Sequence, residues 1–253
     1  MKSLKIIINA DDCGINESVD KEIERFIQMG KITSTTVMAN MDDLKGAVRL
    51  FSLYRDMISF GVHINLTDGE PLTYSQLLLD YGYYKEVNGK ILLNGYPFIH
   101  KILPRSVQKE ILVECLAQIN QVRDAGINIS HIDSHHLMHT SLSMRYITPQ
   151  ILNDSGVKKM RRARNYMPAK GINFYVRQLW FQYMKNKVHG LKSTNYMESF
   201  LAFIKLENQK LRMSGSLELM VHPGGNNKEE QQMMLAMDFA TIPNIQLINY
   251  NQL

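Results

Sequence analysis

The stretch LKIIINADDCG, from Leu4 to Gly14, joins a strand-like run directly to two acidic residues. The run is short and rich in β-branched residues, which is typical of a strand buried on both faces of a parallel sheet. A strand that only closed a sheet would not need the adjacent carboxylates of Asp11 and Asp12. Because the carboxyl ends of strands form the functional face of α/β folds, these acids are candidates for a site.

Length and composition restrict the class of protein. The chain has 253 residues, 45% of them hydrophobic and 21% charged, which suits one large α/β domain with a sizeable core. The formal charge of +5 permits anionic partners but, without a recognisable binding motif, does not indicate nucleic acid. Cys13 and Cys115 have no cysteine nearby, so neither a disulfide framework nor a thiolate zinc site is expected.

The hydropathy of the sequence indicates where in the cell the protein is expected. No segment reaches the roughly 18 apolar residues of a membrane span. The N-terminal apolar run is too short for a signal peptide and ends in acids, so we expect a cytoplasmic protein. The segment FYVRQLWFQYMKNK, residues 174–187, mixes aromatic and basic residues and could touch a membrane surface or a lipid-linked substrate. A core-facing helix or a homodimer contact is the favoured interpretation.

Strand-like and helix-like segments alternate along the chain, which favours a (β/α) barrel or a doubly wound sheet. The patterns predict further strands within residues 32–40, 57–66, 127–136, 156–162, 217–221 and 245–250. They predict helices near residues 16–31, 41–54, 104–125, 144–154, 173–188, 195–213 and 228–240. There is no internal repeat or linker, so we expect a single domain over residues 1–253.

An inserted β-ribbon is predicted at residues 81–98, YGYYKEVNGKILLNGYPF, which contain Asn-Gly pairs at 88–89 and 94–95. Asn-Gly is a strong hairpin signal. We expect the ribbon to stand over the mouth of the barrel and to restrict the substrate. Its aromatic residues could stack on sugar rings or could simply pack on the barrel, and both interpretations stay open; they are Tyr81, Tyr83, Tyr84, Tyr96 and Phe98.

Other polar residues also collect where strands are expected to end. His63 lies in GVHINLT and His222 in VHPGG, and the segment HIDSHHLMH contributes His131, Asp133, His135, His136 and His139. Burying so many polar groups in nine residues is costly unless they are used. If the strand ends converge, a mixed Asp/His/His set would suit a divalent metal with open positions for water and substrate.

The spacing within HIDSHHLMH adds detail. Alternate residues of a strand share a face, so His131, Asp133 and His135 should point one way and His136 the other. His135 and His139 are four residues apart, but the glutamate of the H-E-x-x-H motif is missing, which argues against a zincin. The basic segment KKMRRAR, residues 158–164, could face an anionic group but is more typical of a solvated strand edge.

The segments INADDCGIN, ITSTTVMAN, GVHINLTDGEPL, HIDSHHLMH and ELMVHPGG resemble the YdjC-like carbohydrate deacetylases, which include chitooligosaccharide deacetylases of the ChbG type. The resemblance runs from about residue 4 to residue 250. It implies an irregular (β/α) TIM-like barrel that removes acetyl groups from N-acetylated sugars. The sequence departs from the family at Cys13, where an aromatic residue is usual, and at Leu137, where a third histidine is usual.

The same resemblance implies roles for individual residues. One divalent metal, Mg or Zn with Mn or Co as alternatives, would be held by Asp12, His63 and His135. Asp11 would be the general base and His222 the general acid. Apart from the resemblance, we expect three further residues to bind the substrate or to hold the ligands in place: Asp133, His131 and His139.

Two other functions stay open at this point. The protein could be a metal-dependent hydrolase of another ester, either an O-acetyl or a phosphate ester. It could also be a metal-bearing carbohydrate-binding protein without activity, although a pure binder has no need of a base such as Asp11 beside the metal. A glycine-rich phosphate loop and a G-x-S-x-G elbow are both absent from the sequence, which disfavours nucleotide binding and serine hydrolysis.

Overall fold

The computed structural model describes residues 4–166, 172–207 and 214–253. Its strands, in chain order, are β1 (Leu4–Cys13), β2 (Ser34–Val37), β3 (Ser59–Ile64), β4 (Tyr84–Val87), β5 (Lys90–Leu93), β6 (Ile132–Ser134), β7 (Tyr196–Ser199), β8 (Gly215–Val221) and β9 (Ile245–Leu247). Its helices are α1 (Glu17–Gln28), α2 (Leu44–Tyr54), α3 (Gln76–Tyr81), α4 (Arg105–Asp124), α5 (Ile147–Ser155), α6 (Ile172–Lys187), α7 (Phe200–Glu207) and α8 (Lys228–Ala236).

A curled parallel sheet with the strand order β6-β3-β2-β1-β8-β7 forms the centre, and β9 pairs with the first residues of β1. Beyond β6, the chain around Met160 continues the sheet only through isolated bridges. The Arg161 amide donates to Ile132, 3.1 Å, and the Met160 amide donates to Lys192, 3.1 Å. The parallel sheet and its helices confirm the predicted α/β class. The strand predicted at 156–162 is wrong, because only isolated bridges form there.

Both faces of β1 are buried, as its composition predicts. Ile6 and Ile8 belong to the main hydrophobic core, whereas Ile7, on the opposite face, packs with Ile248 and Tyr250. We call this second face the inner side of the sheet. Since side chains alternate along a strand, the inner side continues past Ile7 to Asn9 and then to Asp11.

The structure corrects several element predictions. Residues 195–213 do not begin as a helix, because β7 pairs with β8 before α7 starts; residues 208–213 lie outside the described residues. Helix α3 was not predicted. The strand predicted over 127–136 is limited to β6, after which His135–Thr140 form 3₁₀ turns interrupted by left-handed backbone at His136 and Leu137.

The hairpin of β4 and β5 forms at the first Asn-Gly pair, where Asn88 and Gly89 have φ of 52° and 76°. Positive φ at both residues is what a type I′ turn requires. The second pair makes no hairpin, because Gly95 has φ of −71° and leads into a 3₁₀-helix over Tyr96–Phe98. Only one of the two Asn-Gly predictions is therefore correct.

Helix α6 buries Phe181 and Met184, in line with a core-facing helix, while Val176 and Leu179 are exposed. None of the helices formed by the described residues is both long enough and apolar enough to cross a bilayer. The single domain, the homodimer contact and the cytoplasmic location stay predictions.

The turn after β1 is held by a buried acid of α1. Asp20 Oδ1 accepts a hydrogen bond from the amide of Gly14, 2.7 Å, and Gly14 has φ of 84°. Burial raises the pKa of Asp20, and the negative charge of Asp43 raises it further. The hydrogen bond from Gly14 lowers it in part, and the net pKa is about 6. Asp20 is therefore ionised at neutral pH in a place that penalises its charge.

Asp20→Asn should make the protein more stable at pH 7. The carboxyl pKa is higher in the folded state than in the unfolded chain, so wild-type stability should fall as pH rises through about 4 to 6. The asparagine variant lacks this loss, which gives it an advantage of about 1–3 kcal/mol above pH 6. Urea unfolding between pH 4.5 and 7.5 measures the difference. Glu17→Gln, on the exposed side of α1, should keep the wild-type pH dependence, and equal stability of Asp20→Asn and wild type at pH 7 would contradict the assignment.

Candidate metal centre and active site

The end of β1 separates the two adjacent acids. The register with β2 slips between Ala10 and Cys13, and Asp12 has φ of 67°, a left-handed conformation that is uncommon for residues other than glycine. Asp11 stays on the inner side, where Asn9 donates to its Oδ1, 2.9 Å. The side chain of Asp12 instead reaches the rim and is 16% exposed. The backbone therefore turns at Asp12 itself.

Asp12 meets two histidines at the carboxyl ends of neighbouring strands. His63 is the last residue but one of β3, and His135 comes directly after β6, which pairs with β3. Asp12 Oδ1 lies 3.3 Å from His63 Nε2 and 2.9 Å from His135 Nδ1. The structure thus brings together the three residues for which the resemblance implied metal ligation, with one donor atom of each within 4.8 Å of the others.

These residues fit a divalent metal. Asp12 Oδ1 is buried without a hydrogen-bond partner of good geometry, although two imidazole nitrogens face it. Two histidines and one carboxylate with open positions form a donor set typical of divalent transition metals. Burial raises the pKa of Asp12, but His135 and His63 outweigh it and hold the pKa well below its usual range.

The surroundings of His63 favour positive charge. Burial alone lowers the pKa of His63, yet the charge of Asp133 and the facing carboxylate of Asp12 raise it to about 10. Asp133 Oδ1 lies 2.7 Å from His63 Nδ1, and Thr36 donates to Asp133 Oδ2, 3.1 Å. This contact leaves His63 Nε2 directed at Asp12, which is the usual way in which a carboxylate orients a metal-binding histidine. A site that stabilises a proton here will also stabilise a metal cation.

Arg161 lies fully buried beneath this cluster, and the sequence analysis missed it. Its Nη1 and Nη2 donate to Asp11, 2.7 and 2.6 Å, and its Nε donates to Glu218, 2.6 Å. Nη1 also lies 2.8 Å from Asp133 Oδ2. The prediction that residues 158–164 form a solvated strand edge is therefore wrong for Arg161. No local pattern distinguishes it from its basic neighbours, because all of its partners are distant in sequence.

Burial dominates the titration of Glu218. It raises the pKa of Glu218, although Arg161 and the hydroxyl of Tyr250 favour the carboxylate. Asp11 is only 2% exposed, and both of its oxygens accept hydrogen bonds from Arg161. Asp11 is therefore firmly oriented, with one of its oxygens within 4.8 Å of a donor atom of His63.

His222 follows β8 and is paired with an acid that sequence reasoning also missed. Glu230, buried on α8, accepts a hydrogen bond from the backbone amide of His222, 2.8 Å, and its Oε2 lies 3.4 Å from His222 Nδ1. Burial lowers the pKa of His222, but the hydrogen bond with Glu230 and the charges of Asp11 and Asp12 raise it by more. The net pKa is raised, and the ring remains 38% exposed.

His131 and His139 are fully buried. His131 stacks on Tyr250, with ring centroids 3.5 Å apart, and burial lowers its pKa to about 3. His139 lies between Ser134 Oγ, 2.6 Å, and the backbone oxygen of Arg161, 3.1 Å, and burial lowers its pKa to about 4. Neither ring is exposed at the surface, and their role in supporting the ligands stays a prediction.

The rim contains His136, which the strand periodicity directed to the opposite face from His135. That expectation is wrong, because β6 ends before His136 and the backbone there has φ of 53°. The two imidazole rings lie 4.0 Å apart between centroids, and the ring of Tyr96 approaches His136 edge-on at 5.4 Å. Tyr96 is 55% exposed, whereas Tyr83 and Tyr84 are buried and unable to stack on a sugar. The role of the ribbon in restricting the substrate stays a prediction. Deleting residues 81–98 and comparing the activity of the variant on different sugars would test it.

Known proteins resemble this chain over nearly its whole length. The family model described as YdjC-like protein matches residues 5–248. A carbohydrate deacetylase of Halalkalibacterium halodurans is 28% identical over 222 residues, which cover 87% of this chain and 85% of the relative. A carbohydrate deacetylase of Vibrio parahaemolyticus is 34% identical over 179 residues, covering 71% and 67%.

Among solved structures, a protein of Enterococcus faecalis V583 named as a candidate cellobiose-phosphate cleavage protein shares the fold. The match has a TM-score of 0.71 and 18% identity, and it covers 99% of this chain and 98% of the other. At this identity the likeness shows the fold alone.

Arg161→Met should destabilise the protein by about 3–5 kcal/mol, because it leaves buried carboxylates without their cation. Urea unfolding at pH 7 measures the loss. Arg177→Met, on the exposed side of α6, should change the free energy of unfolding by no more than about 0.5 kcal/mol. Wild-type stability of the Arg161 variant would mean that the guanidinium does not hold the inner network together.

Proposed function

This chain belongs to the YdjC-like protein family, and on that basis we propose that it is a metal-dependent hydrolase that removes an acetyl group from an N-acetylated sugar. The observation that carries the proposal is the convergence of Asp12, His63 and His135 at the rim, with Asp11 directly beneath. Relatives named as carbohydrate deacetylases over most of the chain support the substrate class.

The metal would be held by Asp12, His63 and His135, and Asp133 would keep His63 in the required tautomer. A divalent ion such as Mg or Zn would polarise the acetyl carbonyl and lower the pKa of the attacking water when bound. The carboxylate of Asp12 would also offset part of the charge of the ion. The amino-acid donors alone are compatible with Mn or Co as well.

Two further residues would move the protons. Asp11, fixed by the two hydrogen bonds from Arg161, would accept a proton as water oxygen bonds to the acetyl carbon. His222 would donate a proton to the sugar nitrogen as the carbon–nitrogen bond breaks, releasing acetate and a free amine. The raised pKa of His222 supports this role, since a general acid must hold its proton at the working pH.

The proposal is tested by incubating metal-loaded protein with a panel of N-acetylated saccharides, free and lipid-linked, and analysing the products by mass spectrometry. We expect at least one saccharide to lose the mass of one acetyl group, with equimolar release of acetate. Metal-free protein is the control and should leave the panel unchanged. Release of phosphate from sugar phosphates without any loss of acetyl groups would contradict the proposal, and so would saccharide binding without turnover.

The two acids should differ in metal binding as well as in rate. Asp11→Asn keeps the size of the side chain but removes the base, so turnover should fall by about 10²–10⁴ while metal affinity stays near wild type. Asp12→Asn removes an anionic ligand, so metal binding should weaken and activity should recover in part with excess metal. Isothermal titration with metal, alongside acetate release, measures both. Loss of metal from Asp11→Asn but not from Asp12→Asn would show that the roles are reversed.

Glu230→Gln should shift the pH profile of the enzyme. Without the carboxylate, the pKa of His222 falls, so the alkaline limb of the kcat/KM profile should move to lower pH. Glu229→Gln is a matched control, because Glu229 is the exposed neighbour whose carboxylate pairs with Lys205. An alkaline limb that is identical in the Glu230 variant and the control would rule out His222 as the group that titrates there.

A further inference from the structure

A second group of metal-binding side chains lies on the solvent side of the proposed centre. Asp68, in the loop after β3, has its Oδ2 3.4 Å from His135 Nε2 and 3.6 Å from His136 Nε2. One donor atom of each residue lies within 4.8 Å of the other two. The nitrogen of His135 that takes part is Nε2, whereas Nδ1 of the same ring faces Asp12.

The backbone brings His136 to this group at a conformational cost. His136 and Leu137 both have left-handed φ, 53° and 54°, in consecutive residues that are not glycine. Such conformations are sparsely populated and persist where the surrounding structure enforces them, often at functional sites. Here the left-handed turn places the His136 ring beside His135, and the ring of Tyr96 limits it on another side.

The loop that carries Asp68 is also fixed in place. The buried side chain of Asn65 accepts hydrogen bonds from the amides of Thr67 and Asp68, both 3.1 Å, and donates to the carbonyl of Asp68, 2.7 Å. The hydroxyl of Thr67 donates to Asp68 Oδ2, 2.6 Å. The Asp68 carboxylate is therefore oriented before any ligand arrives.

The distances match metal ligation better than hydrogen bonding. Two donors about 2.1 Å from a tetrahedral zinc ion lie about 3.4 Å apart. Both separations from Asp68 Oδ2 are close to that value, and the longer one exceeds the range of a hydrogen bond. A carboxylate and two imidazoles also form a donor set suited to zinc, cobalt or nickel.

We propose that Asp68, His135 and His136 form an outer site for a divalent transition metal, distinct from the inner centre of Asp12, His63 and His135. The proposal rests on the proposed function only through the shared His135. A neutral imidazole has one nitrogen free to bind a metal. His135 therefore serves one site at a time, and an ion at the outer site competes with the inner ion for this ligand.

Cobalt binding to a variant without the inner donors tests the outer site by itself. Asp12→Asn/His63→Gln should still bind one equivalent of Co²⁺, seen by its visible absorption. Adding His136→Gln removes a direct ligand of the outer site. It should therefore weaken cobalt binding by at least the ~10–100-fold that is typical when only a hydrogen-bond partner of a ligand is lost. Adding Glu70→Gln instead is the matched control, because Glu70 is an exposed acid nearby that pairs with Lys90, and it should leave the affinity unchanged. Failure of the double variant to bind cobalt while folded by circular dichroism, or equal binding after His136→Gln, overturns the proposal.

The single variant His136→Gln gives an independent test that does not depend on the folding of the double variant. As zinc is raised to a large excess, a second ion at the outer site should draw His135 away from the inner ion, so wild-type turnover should fall, whereas His136→Gln should keep its turnover. Equal loss in the two proteins would overturn the competition. Because the cobalt measurement reports binding alone, absence of any deacetylase activity would reject the proposed function and leave the outer site standing.

Discussion

The guanidinium of Arg161 lies on the inner side of the sheet and contacts carboxylates from three strands, Asp11 of β1, Asp133 of β6 and Glu218 of β8. All of these acids are buried, and a carboxylate left there without a cation would cost several kcal/mol. The segment that supplies Arg161 forms no regular strand, so the ion pairs join it to the sheet where a regular backbone ladder is missing. Asp133 can orient His63, and Asp11 can lie beside the metal centre, because one cation stabilises both.

Above this network, the left-handed backbone of Asp12 divides two adjacent acids between two layers. Asp11 faces inward to Arg161, and Asp12 faces outward to His63 and His135. The meeting of the outer three was predictable, because their strands are parallel and the carboxyl ends of parallel strands lie at one edge. The left-handed turn at Asp12 was not, since φ at one residue depends on the bulge against β2 rather than on the local sequence.

Other features were beyond the reach of local patterns. Residues 196–207 have the apolar spacing of a helix, but pairing with β8 makes the first four a strand, so tertiary contacts override propensity. The polar density of HIDSHHLMH predicted a site, yet it could not show that His131 and His139 are packed neutral in the core while His135 reaches the rim. Arg161 is the partner of residues far along the chain, and Glu230 reaches His222 from the next helix, so neither has a neighbour that indicates its role.

Anomalous X-ray diffraction from crystals grown with one equivalent of zinc would locate the metal directly. A single peak within roughly 2.0–2.2 Å of a carboxylate oxygen of Asp12 and an imidazole nitrogen of both His63 and His135 is the predicted result. A peak bound by His139 would contradict the assignment of His135 as a ligand. A peak lying between Asp11 and Asp133, where the Arg161 guanidinium lies, would contradict the division of the two acids into a metal ligand and a base.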